Sequence, residues 1–313
     1  MSWCNVWKRG ALLKVERLTY EDVVRCQKRG YFDEHLATLY SVAYGEPYLY
    51  GGRYLIYHDP SSKTVWLTLF ELDKESPNDT DKTECLRMSI KTFEPKKVIV
   101  TSPVGLPSKM DDYHCETVYK DRDYQINLKE FDIDLSGGSY KDLRYRVNHA
   151  KRCGYYLVVS KSVTPAHSRI MALHLMKAKT YEIWDYQLYL KLNDYIQRFS
   201  TPRLFNVFYE GMLIGFDVVD ALGDALTTPL GFYMDFPSIA DFLMYEEIVH
   251  AKNLNFSWLD IGWACNNLGL EEFKRKWKAV PKFNVCMQDY HKTEEKVQNG
   301  MASLMKACAH MSS

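Results

Sequence analysis

No two of the chain's eight cysteines (Cys4, Cys26, Cys85, Cys115, Cys153, Cys265, Cys286 and Cys308) are spaced Cys-x-x-Cys, and none has the Cys/His spacing of a zinc site. A metal site is therefore not expected, and scattered thiols of this kind read as mostly buried ones in a reducing compartment. Long apolar runs are missing too. No window approaches the roughly 20 apolar residues of a membrane span, and the opening "MSWCNVWKRGALLKVERL" has no apolar stretch of signal-peptide length. A soluble, cytoplasmic protein without a membrane span is the expectation. Neither sign of charge is in excess: Lys+Arg and Asp+Glu both total 40, for a formal net charge of +0. Nothing global draws such a chain onto nucleic acid or an anionic membrane, so any basic site must be local. Also absent are a nucleophile elbow and a persuasive Cys/His or Ser/His arrangement.

What remains is an ordinary globular composition. The 313 residues are 46% hydrophobic, enough for two modest domains or one large one, each with its own core. Aromatics reach 14%, with 23 tyrosines, so rings are expected in clefts as well as cores.

The first half alternates strand-like and helix-like text. "ALLKVERLT" reads as a strand and "YEDVVRCQKRGYFDEHLATLYSVAYG" as one or two helices ending at Gly45. "RYLIYHD" and "TVWLTLFELD" read as a hairpin, "TECLRMSIKTF" as a helix and "KKVIVTSPV" as a buried strand. A domain boundary is expected at the Ser-Gly-Gly joint of "FDIDLSGGSYKDLRYRVNHAKRCGY", dividing the chain into residues 1–135 and 136–313. The helix that follows is expected to be capped by Ser139 and stopped by Gly154. The second half then repeats the strand, helix and hairpin grammar without a repeat of residues. It offers a helix with Thr164 at its cap and Pro165 in its first turn, then one through "DYQLYLKLNDYIQRF". Strands turning at Glu210-Gly211 follow, with a helix capped by a Ser238/Asp241 pair and a strand "FSWLDIG".

Two segments carry candidate chemistry. On the helix after the joint, Leu143, Val147 and Ala150 share one stripe while Arg144, Asn148, Lys151 and Arg152 share another. The cations, with Arg146, either contact phosphate or form a solvated face. In "LDIGWACNNLGLEEFKRKWKAVPKF" a strand ends at Asp260-Ile261-Gly262, a loop follows, and Lys274 lies about one turn into the next helix. Ligands of α/β folds collect where strands end, which favours Asp260 and Trp263, with Tyr233 in an equivalent strand-end position. A lysine aimed into such a site can stabilise a developing oxyanion. On spacing alone, Phe273 and Trp277 at i and i+4 equally fit a core pair beside solvated lysines.

Taken in order, "YKDLRYRVNHAKRCGY", "LFNVFYEGMLIGFDVV", "FPSIADFLMYEEIVHAKN" and "LDIGWACNNLGLEEFKRKWKAVPKF" resemble the Fem-type (FemABX-like) transferases and their GNAT-like relatives. The resemblance spans roughly residues 136 to 283. It implies two tandem GNAT-like α/β domains with mixed central sheets flanked by helices. The implied activity is direct transfer of an aminoacyl or acyl group from an activated donor to an amine of a peptide or small molecule. Lys274 matches the lysine of oxyanion stabilisation in that family and Phe273 the aromatic that shapes the donor site. Asp260, Trp263, Tyr233, Arg144, Arg146, Lys151 and Arg152 follow as expected substrate contacts.

Two family features are missing. There is no long heptad pattern for the coiled-coil arm common in tRNA-dependent members. Nor is there the R/Q-x-x-G-x-G/A turn that grips the pyrophosphate of coenzyme A; Gly51-Gly52 and Gly137-Gly138 read as ordinary turns. The expected donor is aminoacyl-tRNA, with acyl-CoA as the alternative co-substrate and a catalytically silent GNAT-like binding protein as a further one. No other cofactor is expected. His149 and His250 are lone histidines, Glu246 and His250 an i, i+4 pair without a third ligand, and Met301, Leu304 and Met305 one face of a C-terminal helix.

Overall fold

The computed structural model describes residues 14–72, 79–177 and 190–293. Its strands, in chain order, are β1 (Val15–Arg17), β2 (Glu46–Tyr50), β3 (Tyr54–Asp59), β4 (Thr64–Thr68), β5 (Lys97–Ser102), β6 (Lys109–Met110) and β7 (Tyr113–Asn127). They continue with β8 (Tyr156–Ser160), β9 (Arg203–Tyr209), β10 (Met212–Leu222), β11 (Ala225–Tyr233), β12 (Trp258–Trp263) and β13 (Val280–Lys292).

The chain forms two compact units, each discontinuous in sequence. One takes the described residues up to Asp22, Gly45–Tyr119 and those from Cys286 on; the other takes Val23–Tyr44 and Lys120–Val285. The single boundary expected after residue 135 is not where the units divide. The long strands β7 and β13 divide between them at 119/120 and 285/286, which no loop signal marks because loop signals are local and strand pairing is not.

The two units share one wiring. In the first, β1·β2, β2·β3 and β3·β4 pair antiparallel, β4·β5 parallel, and β5 antiparallel with the end of β13. In the second, β8·β9, β9·β10 and β10·β11 pair antiparallel, β11·β12 parallel, and β12 antiparallel with the end of β7. Each parallel pair is joined by a 15-residue helix, Asp79–Phe93 in one unit and Ile239–Asn253 in the other, as a parallel connection requires. The duplication that the text only hints at is thus a duplication of topology.

Each unit has its own core. Tyr50, Tyr54, Ile56, Leu67, Leu86 and Val100 belong to that of the first; Tyr124, Val147, Phe205, Leu243, Leu259 and Trp277 to that of the second. The stripe of Leu143, Val147 and Ala150 on helix Lys141–Arg152 is buried as its spacing predicts. Gly154 ends that helix at φ 86, with Tyr155 N–H bonded to Ala150 O at 3.2 Å, a left-handed stop that favours glycine. The Glu210-Gly211 hairpin turn has φ of 48° and 79°, positive at both residues as a two-residue turn of this hand needs. Thr164 precedes Pro165 at the start of its helix, its carbonyl accepting His167 N–H at 3.0 Å while its own N–H donates to His167 Nδ1 at 3.0 Å.

Two expected caps do not form. A 3-10 turn, Gly138–Tyr140, precedes helix Lys141–Arg152, so Tyr140 rather than Ser139 holds the N-cap position and gives it no side-chain bond. Ser238 does sit at the N-cap of Ile239–Asn253, but at φ 62 and with no side-chain bond. Its presumed partner Asp241 instead accepts from Trp277 Nε1 at 3.1 Å and pairs with Lys276 at 2.6 Å. Of the described cysteines, Cys26, Cys85 and Cys286 are buried, Cys115 and Cys265 half-buried and Cys153 exposed, all as free thiols. Burial of the thiols is thus less general than expected. Cys4, Cys308 and the Met301, Leu304 and Met305 face lie outside the described residues.

Candidate active site at the end of strand β12

The "WLDIGW" text folds into a strand whose end is shaped by its own carboxylate. Asp260 Oδ1 accepts the Gly262 N–H at 3.0 Å, and Gly262 sits at φ 63, so the Asp-x-Gly spacing is a side-chain-to-backbone turn with glycine where the backbone is left-handed. Pairing changes at the same place. β12 pairs with β11 only through Asp260↔Thr227, its register on β7 shifts between Asp260 and Trp263, and β11 runs on to Tyr233. The parallel strands therefore part beyond Asp260. The equivalent strands of the first unit stay paired through all five residues of β4, Thr64 to Thr68. Among the described residues the parallel pair parts before its strands end in the second unit and not in the first, and it is where such strands part that α/β folds collect ligands.

After the loop, Asn267 caps helix Leu268–Lys276 by accepting Leu270 N–H at 3.2 Å. Lys274 is the seventh of the nine residues of that helix, nearly two turns in rather than one, and its side chain turns back to the parted strand. It is 3% exposed. Its Nζ donates to Gly262 O at 2.7 Å and to Ile261 O, and stands 5.6 Å from the Tyr124 ring centroid. An ammonium has three N–H bonds; these contacts use two.

Around it lies a set of charges that sequence reasoning missed. Lys282, on β13, pairs with Asp260 Oδ2 at 3.0 Å and donates to Tyr31 O. Asp33 and Glu34 come from a 3-10 turn, Asp33–His35, and Asp123 from β7. Asp33 Oδ1 accepts from Thr227 Oγ1 at 3.3 Å, and its Oδ2 lies 3.4 Å from where a Cβ on Gly262 would be. Glu34 faces the Trp263 indole. Asp123 is fully buried, and neither of its carboxylate oxygens has a hydrogen-bond partner. A charged residue inside a strand, as in "YKDRDYQIN", was the one available signal for Asp123; nothing in "GYFDEHLA" announces that it folds against β12.

Burial and mutual repulsion move these groups together. Burial first, then the charge of Asp260, pushes Asp33 up to about 7; burial, then Asp33, pushes Glu34 up to about 8. Burial, then Asp260 and Asp33, holds Asp123 well above the ordinary carboxylate range. Burial pulls Lys274 down, against the charges of Asp123, Cys265, Asp260 and Asp33. On Lys282 burial also pulls down, but Asp260, then Asp123 and Asp33, outweigh it and leave the ammonium above its usual value. The folded chain thus holds protons on Asp33, Glu34 and Asp123 that the unfolded chain releases near pH 4. Stability from Asp33 and Glu34 is full below about pH 4 and is lost as pH rises through about 7 to 8, with Asp123 acting in the same direction. The melting temperature is expected to fall between about pH 5 and pH 8.5, and a Glu34→Gln/Asp123→Asn variant to fall less steeply. A wild-type profile that rises over this range would contradict the assignment of raised values.

The other candidate residues are distributed differently. Trp263 lies at the site with Glu34, and Asp260 and Lys274 at its centre. Phe273 packs on the core and carries Lys276 Nζ over its ring at 5.0 Å. Tyr233 belongs to a separate set: burial, then the charges of Asp217 and Glu247, push its phenol up. The basic helix is tied into its surroundings. Arg144 donates to the Leu135 and Gly137 carbonyls, Arg146 bonds Asp142 at 2.9 Å, and Lys151 lies 3.9 Å from Glu246 and 4.2 Å from the Tyr245 ring centroid. Arg152 is exposed at its last turn. His250 is edge-on to Phe205 at 4.9 Å, and His149 lies 3.8 Å from Cys153 Sγ. Among the described residues no group of three or more His, Cys, Asp or Glu is arranged to hold a metal ion, and no helix is long and apolar enough to cross a membrane.

No protein-family model matches the chain, and no curated protein does. Solved structures do. L-PGS from Bacillus licheniformis superposes with a TM-score of 0.58 at 15% identity, covering 94% of this chain and 97% of that one. FemX does so at 0.57 and 9% identity, covering 91% and 99%. The chain has the FemABX/GNAT-like acyltransferase fold. A tandem GNAT protein from the clavulanic acid biosynthesis pathway matches as well, with a TM-score of 0.53 at 10% identity over 90% and 99% of the two chains. The repeated wiring of the two units accords with a tandem GNAT-like fold.

Proposed function

We propose that the chain is an acyltransferase that moves an aminoacyl or acyl group from an activated donor, aminoacyl-tRNA first, to the amine of a peptide or small molecule in the cytoplasm. The carrying observation is Lys274: a buried ammonium at the parting of β11 and β12, with two N–H bonds on backbone carbonyls and one left for a ligand oxygen. The neutral amine attacks the ester carbonyl carbon, and Lys274 meets the charge that develops on oxygen. The carbon–oxygen bond to the donor then breaks, the donor leaves as an alcohol, and the attacking nitrogen gives up its proton. No covalent enzyme intermediate is needed. An acyl-CoA donor is the second reading, favoured by the likeness to the tandem GNAT protein; there the leaving group is a thiol.

The test incubates the pure chain with charged tRNA and with acetyl-CoA, each with a pool of primary amines, and follows ester loss and thiol release. Ester loss above the uncatalysed rate, abolished in Lys274→Ala, is the expected result. Thiol release alone would move the chain to the second reading. Silence with both would leave a GNAT-like binding protein.

A further inference from the structure

We propose that Asp33, Glu34 and Asp123 form a binding site for a primary ammonium group. Four carboxyl groups gather at the end of β12, and Asp260 is the one already satisfied, by Lys282 and the Gly262 N–H. Asp33 has a hydroxyl from Thr227, and Glu34 faces an indole. Asp123, opposite Trp263 in the β7·β12 register, has no hydrogen-bond partner on either oxygen although it is 0% exposed. A buried carboxyl group without a hydrogen-bond partner is costly in either protonation state and is retained only where something repays it. The two cations nearby do not reach it with a hydrogen bond: Lys274 is bonded to Ile261 O and Gly262 O, and Lys282 to Tyr31 O and Asp260. The set therefore has four acids against two resident ammonium groups. A third, brought by a ligand, supplies the N–H donors that Asp123 lacks and the positive charge that lets the protonated carboxyls ionise. Asp33 and Trp263 are half-buried, so the set meets solvent there.

This inference rests on the acyl-transfer reading for the source of the ammonium, which is either the amino group of an aminoacyl donor or the acceptor amine, which then passes one proton to an ionised carboxylate of the set before it attacks as the neutral amine. Binding has a proton signature. The groups facing the ligand are Asp33 and Glu34 from the 3-10 turn, Asp123 from β7, Asp260 from β12, Cys265 from the loop, Lys274 from helix Leu268–Lys276 and Lys282 from β13. With Asp33 at about 7 and Glu34 at about 8, an arriving ammonium ionises carboxyls that carry protons, so binding releases protons and tightens as pH rises through that range.

The experiment is calorimetric titration of the full chain with L-norleucinamide, n-hexylamine and hexanamide, in two buffers of different ionisation enthalpy near pH 7. Both ammonium probes are expected to bind with proton release, hexanamide not at all. Tighter norleucinamide points to the donor, tighter hexylamine to the acceptor. Asp123→Asn, nearly isosteric, is expected to weaken both at least tenfold while its melting temperature at pH 8 stays level or rises. Equal binding of hexanamide, absence of heat from every probe, or undiminished binding by a folded Asp123→Asn would overturn the proposal. Turnover does not enter this test: probe binding that depends on Asp123 in a chain inert with both donors would keep the site and remove acyl transfer.

Discussion

Lys274→Met is expected to lower turnover on the order of a hundredfold or more, the usual loss when one donor to a developing oxyanion is removed. Methionine keeps the length and apolar bulk of the side chain and deletes the charge, so the chemistry is tested apart from packing. The interaction exists in the transition state and hardly in the ground state; kcat and kcat/KM should therefore fall together while KM stays near its wild-type value. The substitution also removes one of two cations from a set of four buried acids. These can answer by holding their protons more tightly, so the variant should be better folded near pH 6 than near pH 8, and turnover should be compared at the lower pH. Steady-state kinetics with the better of the two donors measures the split. A variant that stays folded and keeps wild-type kcat would take Lys274 out of the mechanism.

Trp277→Ala is expected to cost about 3–5 kcal/mol of stability. Trp277 is fully buried, stacks on Phe131 at 6.1 Å between ring centroids and donates its indole N–H to Asp241. Truncation opens a cavity at the joint between helices Leu268–Lys276 and Ile239–Asn253 and strips Asp241, itself buried, of one of its partners. A loss of this size removes a large fraction of a typical domain's total stability. Urea unfolding followed by tryptophan fluorescence and circular dichroism would measure it; a midpoint unchanged from wild type would mean that the indole is not part of this core.

Much of the fold is legible in the sequence, because the signals are local. Helix periodicity buried Leu143, Val147 and Ala150, and alternating strand text placed the β3·β4 hairpin and the β9·β10 turn. Caps read less well. Serine and aspartate have many local uses, and Asp241 is taken by an indole 36 residues away. The same limit applies to the site. Asp260 and Lys274 lie within one segment, where strand-end and helix spacing relate them, and Lys282 in the same segment carries no such signal; Asp33 and Glu34 on their turn and Asp123 on β7 come from two other segments and meet it only in the folded chain. A basic stripe such as Arg144, Arg146 and Lys151 reads identically in the sequence whether or not its cations also pair with groups of their own protein, as these do.

The interrupted path of the chain through its units bears on how the molecule is made. A ribosome that has delivered residues up to Tyr119 has not yet supplied the stretch from Cys286 that pairs with β5. The first unit must wait, with the edge of β5 unpaired, until almost everything else has emerged. The second unit begins with Val23–Tyr44, emitted early and held until Lys120–Val285 arrives. Completion of either unit is therefore a late event in synthesis, and a gene cut at the joint after residue 135 would separate Asp33, Glu34 and Asp123 from Asp260 and Lys274.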